Sequence, residues 1–140
     1  MGVMLLPALI SDIEKVYDVY FAAFKNEPMG EIMLSILFPG GITPEFRKEH
    51  TKATLDWWHK STTQYTVKVV DVDSGEIIGM LLVDAFFQER PAEERQWTGI
   101  PWLEGAQKER AEAITRPLWE MREKLFGGRK YICKSSHYAT

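Results

Sequence analysis

The sequence predicts a single α+β domain over residues 1–140, with a mixed, mainly antiparallel sheet and helices on both of its faces. Two β-rich arms joined by a turn, within residues 66–87, predict an antiparallel hairpin at the sheet centre. Amphipathic segments before and after this hairpin predict the helices. A length of 140 residues is enough for one domain with a core of its own.

The amino-terminal quarter predicts a strand followed by a helix. Residues 3–9 are apolar and indicate a short first strand. Ser11 and Glu14 have the spacing of a capping box, which starts a helix. Apolar residues at spacings of three and four then continue to Asn26, so we expect a broad apolar face packed on the sheet. That face consists of Ile13, Val16, Tyr17, Tyr20, Phe21 and Phe24.

Two more helical segments are expected before the hairpin. Residues 29–37 are apolar with helical periodicity and end at the breaker residues 39–41. Thr43, Pro44 and Glu45 supply a capping residue, a proline at the first helical position and an acid in the first turn, so they predict a helix that reaches about Lys60.

The predicted hairpin turns at residues 73–75. Residues 77–83 carry no charge, which favours burial on both faces, whereas the first arm alternates and favours burial on one. Gly79 interrupts the second arm, which indicates a bulge or a close approach to the backbone.

The segment after the hairpin combines a loop with a long helix. Residues 88–103 carry Trp97 and Trp102, so the loop is expected to fold back as a lid on a cleft or as plain packing. A helix then runs from about Glu104 to the glycines at 127–128, with Pro117 kinking or splitting it. Its predicted buried stripe is Ala111, Ile114, Leu118, Met121 and Leu125.

Composition argues against several classes of function. The chain has 45% hydrophobic and 26% charged residues and a formal net charge of -3, so neither nucleic acid nor a membrane is an expected partner. Cys133 is the only cysteine, which excludes an internal disulfide and a thiolate metal cluster. A cytoplasmic location, without a leader or a membrane span, is the expectation.

No self-contained catalytic motif is present, and the catalytic residues are therefore not predicted. His50, His59 and His137 lack the spacing of metal ligands, so no metal is expected and they are interpreted as surface or capping residues. The acids Glu89, Glu93, Glu94 and Glu104 could supply a general base, but the sequence favours their interpretation as solvated acids of a loop or a helix start.

The order strand, helix, helix, hairpin, helix, strand resembles the GNAT superfamily of N-acetyltransferases, and a fungal branch of it most closely. The resemblance extends over residues 5–133. The segments that carry it are residues 6–8, 12–24, 38–41, 57–59, 75–79 and 101–105.

The resemblance implies acetyl-CoA-dependent acetylation of a small-molecule amine. Trp58, Trp97 and Trp102 would then line the acceptor side of the cleft. In the family, a glycine-containing loop after the fourth strand binds the cofactor pyrophosphate. Residues 131–133 would begin that strand and residues 134–140 do not match the loop, so we expect a chain truncated before the cofactor site, with an incomplete sheet and doubtful activity.

Two other functions stay open. The first is a non-catalytic interaction protein that dimerises, or binds a partner strand, through an open sheet edge at Tyr131, Ile132 and Cys133. The second is a small-ligand binder that uses the tryptophan-containing loop.

Overall fold

The computed structural model describes residues 2–25 and 27–134. Four strands, four α-helices and two short 3-10 turns, at Ile10–Asp12 and Ala92–Arg95, make up the fold. In chain order the main elements are β1 (Val3–Pro7), α1 (Ile13–Lys25), α2 (Pro28–Leu37), α3 (Pro44–Lys60), β2 (Gln64–Asp71), β3 (Ile77–Phe86), α4 (Gly105–Phe126) and β4 (Tyr131–Lys134). Three helices, not the two of the family pattern, therefore separate β1 from the hairpin.

The four described strands form one sheet in the order β1-β2-β3-β4, with each neighbouring pair antiparallel. The predicted α+β class with a mainly antiparallel sheet is therefore confirmed. The hairpin β2–β3 occupies the centre, as expected, since β1 and β4 each pair with only one of its strands.

The turn and the bulge of the hairpin follow from two glycines. Gly75 adopts a φ of 72°, a conformation that glycine tolerates best, and its N–H donates to the Asp71 carbonyl. Gly79 pairs with Val69 while Ile77 pairs with Val70, so Ile78 is the extra residue of a bulge. A Cβ at Gly79 would lie 3.3 Å from the Val69 side chain, and both predictions for this glycine are confirmed.

The expected burial of residues 77–83 on both faces is wrong. Ile78 is exposed, and only from Leu82 onwards does β3 become buried at most of its positions. The bulge turns Ile78 outward, and the helices cover one face of the strand only.

The sheet contacts of α1 and α4 fall on one and the same face. Lys68 of β2 pairs with Asp12, just before α1, at 2.6 Å. Asp84 of β3, on the same face by register, lies 3.7 Å from Arg122 of α4. These two contacts therefore lie on the same side of β2 and β3, because side chains two residues apart in a strand point to the same face.

The core lies between α1, α2, α3 and the segment that precedes α4. Ile13, Val16, Tyr17 and Phe21 of α1 are buried, which confirms the predicted apolar face. Leu37, Phe38, Ile100, Leu103 and Ala111 complete the main cluster with α1. The loop of residues 88–103 does fold back over the domain, as predicted, and supplies two core residues.

Of the two predicted capping arrangements, one is confirmed and the other is wrong. The Thr43 hydroxyl accepts the Phe46 N–H at 3.1 Å, so the predicted start of α3 is confirmed. The Ser11–Glu14 box is wrong. A 3-10 turn precedes α1, and the carboxylate of Asp12 accepts the Leu9 N–H at 2.8 Å, because Lys68 on β2 holds Asp12 in this position.

The apolar stripe predicted to be buried on α4 is exposed, apart from Ala111. We call Ile114, Leu118, Met121 and Leu125 the α4 stripe; these side chains are 37%, 58%, 60% and 54% exposed. Polar residues decide the orientation of α4: Glu123 pairs with Arg95 at 2.6 Å, and Arg122 faces Asp84. The helix remains continuous through Pro117, so the predicted split into two helices is wrong, and the alternative, a kink at Pro117, stays a prediction.

None of the described helices combines the length and the apolar character needed to cross a membrane.

Candidate functional site

An open groove of about 430 Å³ lies where the end of α2 meets the start of α3 and the segment before α4. Its lining combines aromatic rings, glycine backbone and two carboxylates. The lining residues are Leu37, Phe38, Pro39, Gly40, Gly41, Thr43, Glu45, Phe46, Glu49, Trp102, Leu103 and Gln107.

The sequence builds this groove from a tight connection between two helices. Gly41 has a φ of 78° and donates its N–H to the Phe38 carbonyl at 2.8 Å, which reverses the chain. The Thr43 cap then starts α3. Glu45 and Glu49 lie four residues apart on this helix, so both carboxylates are on the side that borders the groove.

Trp102 is fixed by a hydrogen bond at the other wall. Its indole N–H donates to the Leu37 carbonyl at 3.1 Å, one of the carbonyls that the end of α2 leaves without a helical partner. The rings of Phe38 and Phe46 lie 4.9 Å apart beside it. The groove therefore has a rigid aromatic lining.

Acids and aromatic rings together select for positive charge. The faces of aromatic rings attract cations, and two carboxylates on one helix face add to that attraction. An organic cation with an apolar body matches both features. Anionic groups such as phosphates would be repelled by Glu45 and Glu49.

The structure separates the three tryptophans expected to line an acceptor site. Trp102 borders the groove. Trp58 is half-buried against the main core cluster, and Trp97 lies 5.7 Å from Trp119 of α4. Only one of the three is therefore placed at the groove, and the predicted role of the other two stays a prediction.

The predicted edge residues lie on β4, which pairs with β3 and with no other described strand. The Tyr131 hydroxyl accepts from Arg90 at 3.2 Å, and its ring stacks on Phe126. Burial raises the pKa of the Cys133 thiol, and the Asp84 carboxylate adds to that shift. Ile132 points away from the helices and is 66% exposed.

One of the three histidines is buried, although a surface or capping position was expected for it. His50 is 6% exposed and lies among aromatic rings, 4.5 Å from Tyr17, so its interpretation as a surface or capping residue is wrong. It faces inward because α3 packs against α1 at this position. His59 is exposed at the end of α3, as expected, and His137 lies outside the described residues.

Sequence reasoning missed Glu45 and Glu49 as groove residues. Glu45 was explained by its position in the first turn of α3, and nothing in the sequence placed Trp102 near it. The four-residue spacing of the two acids beside Gly40 and Gly41 was the available signal. The candidate bases Glu89, Glu93, Glu94 and Glu104 do not line the groove.

Among residues 2–25 and 27–134, no group of three or more histidine, cysteine, aspartate or glutamate residues could hold a metal ion. Comparisons of the chain with protein-family models, curated proteins and solved structures gave no match.

Proposed function

We propose that this chain provides the acceptor site of an acetyl-CoA-dependent N-acetyltransferase of the GNAT type, and that the groove binds a protonated small-molecule amine. The observation that carries the proposal is that Glu45 and Glu49 border the same groove as Trp102. The sequence resemblance and the β-hairpin between helical segments support the same assignment.

The two acids are assigned a binding role. A carboxylate next to an amine stabilises its charged form and so raises the pKa of the amine. Acetyl transfer requires the neutral amine, because its nitrogen lone pair attacks the thioester carbon. Glu45 and Glu49 therefore recognise the acceptor, Trp102 and Phe46 cover its apolar body, and the base that deprotonates it is not assigned.

The groove does not fit the cofactor itself. Acetyl-CoA would supply the activated acetyl group, but its phosphates carry negative charge that Glu45 and Glu49 would repel. Binding of acetyl-CoA elsewhere on the chain is part of the proposal and has its own test.

Isothermal titration calorimetry tests the groove with 2-phenylethylamine as the probe and 2-phenylethanol as its neutral analogue. The amine is expected to bind, and the alcohol to bind at least about tenfold more weakly, a difference of about 1.4 kcal/mol. The variant Glu45→Gln/Glu49→Gln should lose the preference for the amine. The variant Glu109→Gln/Glu120→Gln on α4 removes the same charge and should retain it.

Equal binding of amine and alcohol, or an unchanged preference in the groove variant, would refute the acceptor site. Titration of the same folded sample with acetyl-CoA and with coenzyme A tests the enzyme class separately. Micromolar binding supports the acetyltransferase proposal. Absence of heat would restrict the GNAT relationship to ancestry, while the amine titration would still report on the groove.

The open edge of β4, which pairs with β3 and with no other described strand, favours a second function. As a non-catalytic interaction protein, the chain would use β4 to form a homodimer or to bind a partner strand through backbone hydrogen bonds. Size-exclusion chromatography with light scattering measures the mass of the wild type and of Ile132→Lys. A concentration-dependent dimer that the variant loses supports homodimerisation, and a monomer at every concentration argues against it.

A further inference from the structure

We propose that the α4 stripe is the docking seam for an acidic amphipathic helix of a partner protein. This inference concerns a different surface from the amine groove and does not depend on acetyl transfer. It is carried by the spacing, the exposure and the surrounding charges of the stripe.

The spacing of the α4 stripe is that of a coiled-coil seam. Ile114, Leu118, Met121 and Leu125 follow one another at intervals of four, three and four residues, which are the d and a positions of two heptads. Such a narrow line of apolar side chains packs against one facing helix. A membrane-surface helix usually presents a wider apolar face than this line of four residues.

The stripe is uncovered by the described parts of the chain. Its three carboxyl-terminal members are each more than half exposed. Apart from Ala111, which is buried at the amino-terminal end of the same line, the contacts of α4 with the rest of the domain use other sides of the helix: Glu112 accepts the Ile100 N–H, Trp119 lies against Trp97, and Glu123 pairs with Arg95. A row of apolar side chains exposed in this way is a feature of interaction surfaces.

The acids of α4 all lie away from the stripe, whereas two of its basic residues border the stripe. With about 100° between successive residues, Arg110 and Lys124 flank the stripe, while the four acids of the helix project from the opposite side. Three of those acids have partners there: Glu112 with Ile100, Glu120 with Arg116 and Glu123 with Arg95. The fourth is Glu109.

The absence of acids beside the stripe indicates which kind of helix can bind there. A second copy of α4 has no acid on the stripe side, so a homodimer along this seam would gain no ion pair in either orientation. A helix with acids at its e and g positions would pair with Arg110 and Lys124 while its a and d residues cover the stripe. The seam is therefore complementary to an acidic helix.

Fluorescence anisotropy with two labelled peptides tests the proposal. The probe is a three-heptad helix with Leu at a and d and Glu at e and g, whose like charges keep it from pairing with itself. The control peptide has Lys at e and g. We expect the acidic peptide to bind the wild-type chain at least about tenfold more tightly than the basic one, with weaker binding at higher salt.

Two variants and one matched control locate the binding. Leu118→Glu/Met121→Glu should weaken the acidic peptide at least about tenfold, because charge is placed in the seam. Arg116→Glu changes the net charge by the same amount on the opposite side of α4 and should change the affinity about threefold at most. Arg110→Glu/Lys124→Glu leaves the stripe intact and should reverse the preference towards the basic peptide.

Several outcomes would overturn the proposal. These are absence of binding, equal affinity for both peptides, or an unchanged affinity in the Leu118→Glu/Met121→Glu variant. A wild-type dimer in analytical ultracentrifugation that this variant dissociates would identify a second copy as the occupant. Binding to phosphatidylserine vesicles without binding to the acidic peptide would identify a membrane surface.

Discussion

Helices α1 and α4 carry apolar residues at the same helical spacing, yet one apolar face is buried and the other is exposed. Ile13, Val16 and Tyr17 of α1 are almost fully buried, whereas Leu118 and Met121 are among the most exposed apolar residues of the domain. The aromatic core holds α1 by its apolar side. Ion pairs to β3 and to the loop of residues 88–103 hold α4 by its polar side.

The difference teaches what helical periodicity can and cannot predict. Periodicity indicates that a helix has an apolar face, because apolar residues three and four apart lie on one side. It does not indicate which other surface covers that face. In α4, the orientation follows from Arg95 and Asp84, which are distant in sequence from their partners.

The largest effect on stability is expected from truncating a side chain that is buried in the core cluster around α1. Leu37→Ala should lower the free energy of unfolding by about 2–5 kcal/mol, because it leaves a cavity among Ile13, Tyr17 and Phe21. Urea denaturation followed by circular dichroism measures it. A loss below about 1 kcal/mol would show that this side of the domain is no better packed than the α4 stripe.

The next effect concerns the buried hydroxyl of Tyr17 and its response to alkali. Burial raises the pKa of Tyr17 to about 12, and the Thr54 hydroxyl offsets part of that shift. Because the pKa in the folded state exceeds that in the unfolded state, the stabilisation is complete below about pH 10 and is lost as the pH rises towards 12. The full loss amounts to about 2–3 kcal/mol.

Urea unfolding at several pH values between 9 and 12 checks this expectation, with Tyr17→Phe as the reference. The wild type should lose more stability than the variant over this interval, since both share every other titrating group. Parallel pH profiles would show that Tyr17 titrates normally in the folded chain.

A smaller effect is expected at the polar attachment of α4. Glu123→Gln should destabilise the chain by about 1–3 kcal/mol, because the partly buried Arg90 and Arg95 lose their carboxylate. Glu120→Gln, whose exposed partner Arg116 lies on the same helix, should cost less than about 0.5 kcal/mol. Equal costs would mean that these ion pairs do not determine which side of α4 faces the domain.

The smallest effect is expected within the α4 stripe. Leu118→Ala should change the free energy of unfolding by less than about 1 kcal/mol, since the side chain is already largely in water. The same urea assay measures it beside Leu37→Ala, an identical substitution in the core. A cost similar to that of Leu37→Ala would show that something covers Leu118 in solution.

Features that depend on neighbouring residues could be predicted from the sequence. The turn at Gly75, the bulge beside Gly79 and the Thr43 cap each arise from residue types within a few positions of one another. The hairpin and the apolar face of α1 were likewise evident. The features that could not be predicted depend on contacts between residues that are distant in sequence. Lys68 binds Asp12, and His50 packs against Tyr17 of α1 in the core.

The candidate site shows the same division. A tryptophan in the loop before α4 was expected to pack against the domain, and Trp102 does so. Trp102 borders the same groove as Glu45 and Glu49 because the end of α2 lies close to the loop before α4. No local sequence pattern predicts that arrangement. Glu45 lies in the first turn of α3, where an acid is expected because it interacts favourably with the helix dipole. Its presence in the sequence therefore does not indicate that it also borders a groove.

The uncovered α4 stripe also bears on the lifetime of the chain in a cell. Chaperones and proteases continuously remove unfolded chains, so a change of about 1–2 kcal/mol in stability can alter protein abundance severalfold. If the proposed acidic helix stabilises the chain by covering the α4 stripe, the steady-state amount of this protein should follow the amount of that partner. Overexpressed without that cover, the chain is expected to turn over quickly, as unassembled subunits do.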